Sequence, residues 1–475
     1  MQVSNNHTVE KIGGTSMSQY DAVRDNIIFN PALKNPYQRV FVVSAYAGIT
    51  NLLLEHKKTA EPGVFGRFAQ AEEDQSWIEA FALVRQKMLD INQELFGDGQ
   101  LKDKADKFIL RRLDDAERAL ADLNSLCQHG HFELDDHLAK VREMLASIGE
   151  AHSAWNMAHL LQKEGVNAVF VDLTGWNIDK AVDMDELIKD AFFSLDLREC
   201  LPIATGYCHS EKGLMATFDR GYSEMTFSRI AVLTKAQEAI IHKEYHLSSA
   251  DPKLVGEDKV VPIGMTNYDV ADQLANLGME AIHPRAAKGL RQSEISLRVK
   301  NTFEPQHKGT LITSTYVSDK PKVEIVAGRQ QVYAFELFDQ DMMGQVNKFD
   351  IETLALINEL KIEMVSKDVT ANSITHYLSC NLKKAKRLLV LLEKQFPEAE
   401  INLRKVCIVS AIGSDMQEAG MLAKAVKAIA EQGISIQALH QSMRQVDIQF
   451  VLDESHFEQA IIALHQHLVE IQPEV

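Results

Sequence analysis

No stretch of this chain approaches the roughly 18 consecutive apolar residues of a membrane-spanning helix, and the amino terminus, MQVSNNHTVEK, shows no apolar signal core. Cysteine is scarce. The five present in 475 residues (Cys127, Cys200, Cys208, Cys380, Cys407) include no CxxC pair. That argues against a disulfide frame or a zinc site and for free thiols in a reducing compartment. A basic excess is missing too: 50 Lys and Arg face 67 Asp and Glu, a formal net charge of −17. A general nucleic-acid or membrane-surface binder needs the opposite field, although a local cluster of donors can still hold an anion. The expectation is a soluble cytoplasmic protein of two or three domains.

The first part of the chain alternates strand and helix signals. RVFVVSA (Arg39–Ala45), NAVFVDLTG (Asn167–Gly175) and CLPIATGY (Cys200–Tyr207) read as buried parallel strands. Between the first two lies a long helical stretch from about Phe65, with Gly165 as its stop. The pattern predicts an α/β domain in an αβα sandwich, whose ligands bind beyond the carboxyl ends of the strands. At NTFEPQHKGT the texture changes and a domain boundary is expected. Beyond it a weak repeat appears: strand, helix, strand, strand, helix, twice, beginning at QVYAFELF and KVCIVSAIG. That is a ferredoxin-like pattern, of a kind that more often binds or regulates than catalyses.

Four stretches could carry chemistry. VEKIGGTSM puts Lys11 before Gly13-Gly14 at a strand end. It is neither a GxxxxGK[ST] loop nor a GxGxxG turn. The glycines would let backbone N–H groups face a polyphosphate while the ammonium neutralises its oxygens; a tight turn with a surface lysine fits equally. SAYAGITN (Ser44–Asn51) offers hydroxyls and a glycine past a buried strand, or merely a helix cap at Thr50 or Asn51. Gly149-Glu150 lies inside a helical stretch, where glycine costs about 1 kcal/mol against alanine; Glu150 would receive an ammonium, or simply be solvated. Arg220, in GLMATFDRGYSE, is a natural bidentate partner for a carboxylate, or an exposed loop arginine.

Taken together these stretches resemble the aspartate kinase family, within the wider amino-acid kinases. The resemblance rests on Lys-x-Gly-Gly-Thr-Ser (Lys11 to Ser16), Ser-Ala-x-x-Gly-x-Thr-Asn (Ser44 to Asn51), Gly149-Glu150, Asp251-Pro252, His283-Pro284 and Asn-Thr-Phe-x-Pro with Gly309-Thr310, in that order. It implies an αβα kinase domain over 1–305, a linker strand and first ACT domain over 306–395, and a second ACT domain over 396–475. In the family the first ACT domain is inserted into the second, whose first strand comes earlier; GTLITST (Gly309–Thr315) is the expected strand. The implied reaction moves the γ-phosphoryl group of ATP, as its Mg2+ complex, onto the β-carboxylate of L-aspartate. The implied roles are Lys11 on the transferring group, with Gly13, Gly14 and Ser44 lining the phosphates. Thr50 and Glu150 would hold aspartate, and Arg220, helped by Ser223, would grip its α-carboxylate. His242, Lys243 and Lys253 fall where the family binds nucleotide. Magnesium would be held mainly by phosphates and water, so no protein ligand is assigned. A homodimer or larger assembly and an amino-acid effector at the ACT domains are also implied.

The chain departs from the family in places. Gly-Arg-Gly-Gly-Ser-Asp has become Gly221-Tyr222-Ser223-Glu224 after Asp219-Arg220, and Thr-Asp-Val near the adenine has become His242-Lys243-Glu244. These changes resemble a subgroup associated with ectoine synthesis. The competing readings are a kinase for another amino acid and an amino-acid-sensing protein whose kinase domain no longer turns over.

Overall fold

The structure, a computed structural model, describes residues 6–470 apart from 32, 34, 58, 71–75, 130, 177–181, 219–220 and 280. It divides into two compact units: 1–246 with 282–314, and 247–281 with 315–475.

In the N-terminal unit the expected strands form, and form for the expected reason. Arg39–Val43 and Leu201–Thr205 are buried along their whole length, as strands covered on both faces must be. The order across the sheet is Ala168–Val171, Leu201–Thr205, Arg39–Val43, Thr8–Ile12, Glu238–Lys243, Ser296–Asn301, Thr310–Thr313. All these pairings are parallel except the last, which is antiparallel. The long helical stretch resolves into Val64–Gln70, Ser76–Phe96, Gln100–Cys127 and Asp135–Lys163. Gly165 ends the last of these at φ +87°, and the Val166 N–H reaches back to the Leu161 carbonyl. Only glycine adopts that backbone without strain.

GTLITST is not an ACT strand. Thr310–Thr313 pairs with Ser296–Asn301 and so belongs to the N-terminal sheet.

The C-terminal unit is built on an antiparallel sheet ordered Glu363–Val369, Ser373–Ser379, Ile325–Phe338, Glu400–Ile412, Asp447–Asp453, Ala438–Gln441. Two of its strands are long, 14 and 13 residues, and pair with each other along nearly their full length. Each serves both halves of the repeat. Residues 332–338 and 400–406 complete the half that contains the Val346–Glu359 and Leu382–Gln395 helices; residues 325–329 and 408–412 complete the half with the Met421–Ala430 and Phe457–His465 helices. The early strand of the second ACT-like half is therefore Ile325–Arg329. A register shift between Val406 and Ile408 marks the changeover, as a bulge does where a strand leaves one layer for the next. The Pro252–Val255 and Tyr268–Asn276 helices contribute Val255, Val270 and Leu274 to the cores of this unit.

Candidate active site

Alternation along the Thr8–Ile12 strand sends Lys11 and Glu10 to opposite faces. Lys11 lies level with Val42 and Ile241 on the neighbouring strands. Just beyond, the chain turns sharply: the Gly13 N–H donates to the His242 carbonyl and the Ser44 N–H to the Ile12 carbonyl. Gly14 is required by packing, because a Cβ there would lie 2.6 Å from the Ala45 carbonyl oxygen. Gly13 is not: its φ is −70° and its nearest neighbour to a Cβ would be 3.5 Å away.

The SAYAGITN loop is held from the helix Asp135–Lys163. The Ser153 hydroxyl donates to the Ser44 carbonyl at 2.8 Å. Gly149 lets the two approach, since a Cβ there would come within 2.8 Å of the Ala45 Cβ and 3.1 Å of Ile49. Neither Thr50 nor Asn51 caps the short helix Ile49–Leu53; the capping residue is Gly48, at φ +83°. Thr50 stands half-buried in that helix.

This packing delivers Glu150 to a buried position, 2% exposed. Its Oε1 accepts from the Ser223 hydroxyl at 2.6 Å. Its Oε2 is buried without a hydrogen-bond partner. A Cβ on Gly206, just past the strand Leu201–Thr205, would fall 2.9 Å from both carboxylate oxygens. Burial pushes the Glu150 carboxyl up to about 8, against the opposing pull of Ser223, Lys11, the Tyr207 backbone and the Tyr222 hydroxyl. A second carboxylate behaves in the reverse way. Glu224 pairs with the Lys11 ammonium at 3.2 Å, both side chains being about one-eighth exposed (13% and 12%). It also accepts from the His283 N–H. Burial works to raise it, but Lys11, Lys243 and that N–H together hold it below the ordinary glutamate value. One cation thus faces two carboxylates, one ionised and one inclined to keep its proton.

Residues 6–301 match the amino acid kinase family and residues 409–468 an ACT domain. The aspartate kinase Ask_Ect of Stutzerimonas stutzeri (strain A1501) is 56% identical over 468 residues, 98% of each chain. The chain belongs to the amino acid kinase family, among its aspartate kinases. Aspartokinase 1, chloroplastic, of Arabidopsis thaliana is 26% identical over 97% of this chain and 80% of its own. The fold is also that of E. coli aspartokinase III, solved in complex with aspartate and ADP: TM-score 0.73 at 21% identity, over 97% of this chain and 99% of that one.

In this aspartate kinase the structure brings Lys11, Glu150 and Ser223 together; Gly13 and Gly14 follow the Lys11 strand, Ser44 is tied to the helix that carries Glu150 through Ser153, and Thr50 lies in the helix Ile49–Leu53. Lys243 joins them on the Lys11 face, close enough to act on Glu224. It does not bring in His242, whose side chain lies on the opposite face, buried, with Nε2 2.7 Å from Glu10. Lys253 is exposed on the Pro252–Val255 helix of the C-terminal unit. Arg220 lies outside the described residues. Sequence reasoning passed over Glu224, Tyr222 and Gly206. The first two were visible only as departures from the family motif; Gly206 carried no signal beyond its place after a strand.

Proposed function

We propose that this protein is an ATP-dependent aspartate kinase that makes 4-phospho-L-aspartate. The carrying observation is Glu150: a buried carboxylate with an unpartnered oxygen, set beside Lys11 and fixed by Ser223. Such a group costs stability unless a cation completes it. The ammonium of an amino acid supplies one.

The remaining residues fit a transfer that needs no base. The β-carboxylate is already an anion at neutral pH, so one of its oxygens attacks the γ-phosphorus directly. The bond from that phosphorus to the bridging oxygen breaks, and ADP leaves with the electron pair. Negative charge crowds the transferring group during this step, and Lys11, oriented by Glu224, offsets it. Gly13 needs no special backbone, and its missing side chain lets a phosphate approach the main chain. Ser44 and Thr50 would line the phosphate and aspartate ends, and Arg220 with Ser223 the α-carboxylate. Lys243 would favour the nucleotide's charge. Magnesium would enter with the phosphates. Among the described residues no group of three His, Cys, Asp or Glu side chains is disposed to hold a metal, and a phosphate-bound ion keeps most of its shell as water and phosphate oxygen.

The whole-length likeness to Ask_Ect supports the ectoine-associated subgroup expected from the sequence. We propose a kinase domain followed by two ACT domains, as expected over 1–305, 306–395 and 396–475, with Thr310–Thr313 in the kinase sheet and Ile325–Arg329 in the second ACT half, and an amino-acid effector at the ACT halves. Self-association through those halves is supported by Ile351, Leu382 and Val390, which are exposed on their helices. No described helix is long and apolar enough to cross a membrane. All five cysteines are free, which suits the cytoplasm.

Trapping the acyl phosphate with hydroxylamine tests the reading. Purified protein with ATP, magnesium and aspartate should yield aspartyl hydroxamate. Glutamate or acetylglutamate in place of aspartate should not support turnover. ADP release only with one of those acceptors, or none with any, would overturn the assignment.

A further inference from the structure

Parallel strands are normally covered on both faces. In the half of the N-terminal sheet formed by Glu238–Lys243 and Ser296–Asn301, one face obeys: Ala239, Ile241, Leu297 and Val299 are buried. The other face presents Glu238, Ile240, His242, Ser296, Arg298 and Lys300, and only His242 among them is buried. Residues from 26–30 and 35–38, with 305–308, line this face as an open cavity of about 690 Å³, within the range that small-molecule sites occupy, roughly 300–1,000 Å³. It opens on the side of the sheet away from Lys11.

The charges of the cavity do not balance. Arg39, Arg298, Lys300 and Lys308 line it against only Glu10 and Glu238, in a chain whose formal net charge is −17. Both carboxylates are already engaged. Glu10 accepts from two nitrogens of Arg39 at 2.6 and 2.8 Å and pairs with His242 at 2.7 Å. Glu238 accepts from Arg298 at 2.6 Å. The Lys300 ammonium makes no hydrogen bond or ion pair among the described residues. It is half-buried, and burial, then the neighbouring Arg298 and Arg39 cations, make its charge costly despite Glu10 nearby. Uncharged donors line the same cavity in Gln237 and Gln306, and in Asn26, whose amide also donates to the Thr302 carbonyl.

We propose that this cavity is a second ligand site, which binds a small anion carrying more than one negative charge, a carboxylate or a phosphate, through Lys300. The unpaired ammonium supplies the missing pair, and the fixed Arg39–Glu10–His242 cluster forms a rigid floor. The volume of the cavity favours a small molecule over a nucleic acid or a protein surface.

The test uses the full chain with its kinase site filled by saturating ADP and aspartate. Pyrophosphate, citrate and inorganic phosphate are each titrated by isothermal calorimetry at low ionic strength. At least one should bind saturably, one per chain, and Lys300→Gln should weaken it about tenfold, the scale of one charge-assisted hydrogen bond. Lys308→Gln, at the rim, should weaken it less. Hydroxamate formation without added anion should be unchanged in both variants. Absence of saturable binding with all three anions, or binding equally tight in Lys300→Gln, overturns the proposal. So does light scattering in which Lys300→Glu splits an oligomer that none of the anions perturbs, since a second copy would then cover this face.

Discussion

The two faces of one sheet treat buried carboxylates in opposite ways. Behind the sheet, Glu10 meets Arg39 in a two-point fork and His242 besides, with both partners buried. Burial alone would raise its pKa; Arg39 and then His242 pull it well below the ordinary carboxylate range. On the Lys11 face, Glu150 accepts from the Ser223 hydroxyl and keeps one orphan oxygen, and burial outweighs the pull of Ser223, Lys11, Tyr207 and Tyr222. The two sites lie on opposite sides of one layer of strands. A satisfied buried charge holds a structure together, whereas an unsatisfied one is strain that a ligand relieves.

That contrast predicts how each face breaks. The largest effect belongs to Lys11→Met, which removes the cation from the transfer step: hydroxamate formation should fall about a thousandfold or more per folded molecule, beyond the drop in thermal midpoint that follows from breaking its ion pair with Glu224. Near-normal turnover would refute the role given to Lys11. Next is Arg39→Ala. It strands Glu10 in the sheet and should cost about 3–5 kcal/mol in denaturant unfolding, while turnover per folded molecule survives; loss of turnover without loss of stability would erase the distinction between the faces.

The third effect follows pH. Glu150 has a folded value of about 8 against an ordinary 4.5. The folded protein therefore keeps a proton that the unfolded chain releases across this window, so its contribution to stability is full below about 4.5 and lost as pH rises towards 8. Substrate ammonium favours the ionised form, so kcat/KM for aspartate should climb with pH towards about 8 and then level. Glu150→Gln should abolish both slopes and lower kcat/KM at least tenfold; a flat wild-type profile would show that the orphan oxygen is not the ammonium site. The smallest effect is that of Tyr222→Phe. It removes a hydroxyl that favours ionised Glu150 and should raise the KM for aspartate several-fold, about 1 kcal/mol, with kcat nearly unchanged.

Much of this was legible in the chain. The buried strands announced themselves as apolar runs, Gly165 as a helix stop, and the C-terminal repeat as two strand-helix patterns. The motif order marked Lys11, Glu150 and Ser223. Other features were not legible because they depend on which strands become neighbours. GTLITST has the composition of any short strand, and nothing local says that it pairs with Ser296–Asn301. The sharing of Ile325–Phe338 and Glu400–Ile412 between two ACT halves is equally invisible, because each reads as one continuous strand. His242 was misjudged by a single step of alternation: at a strand end, one residue decides which face a side chain joins.

The amino-acid sequence by itself determined the class of fold, the family, and the kinds of group available at the site, since hydrophobic period, glycine placement and motif order are local properties. Tertiary structure alone decided which carboxylate keeps its proton. Glu10, Glu150 and Glu224 are the same side chain, and only their burial and the cations brought to them from distant segments set them apart.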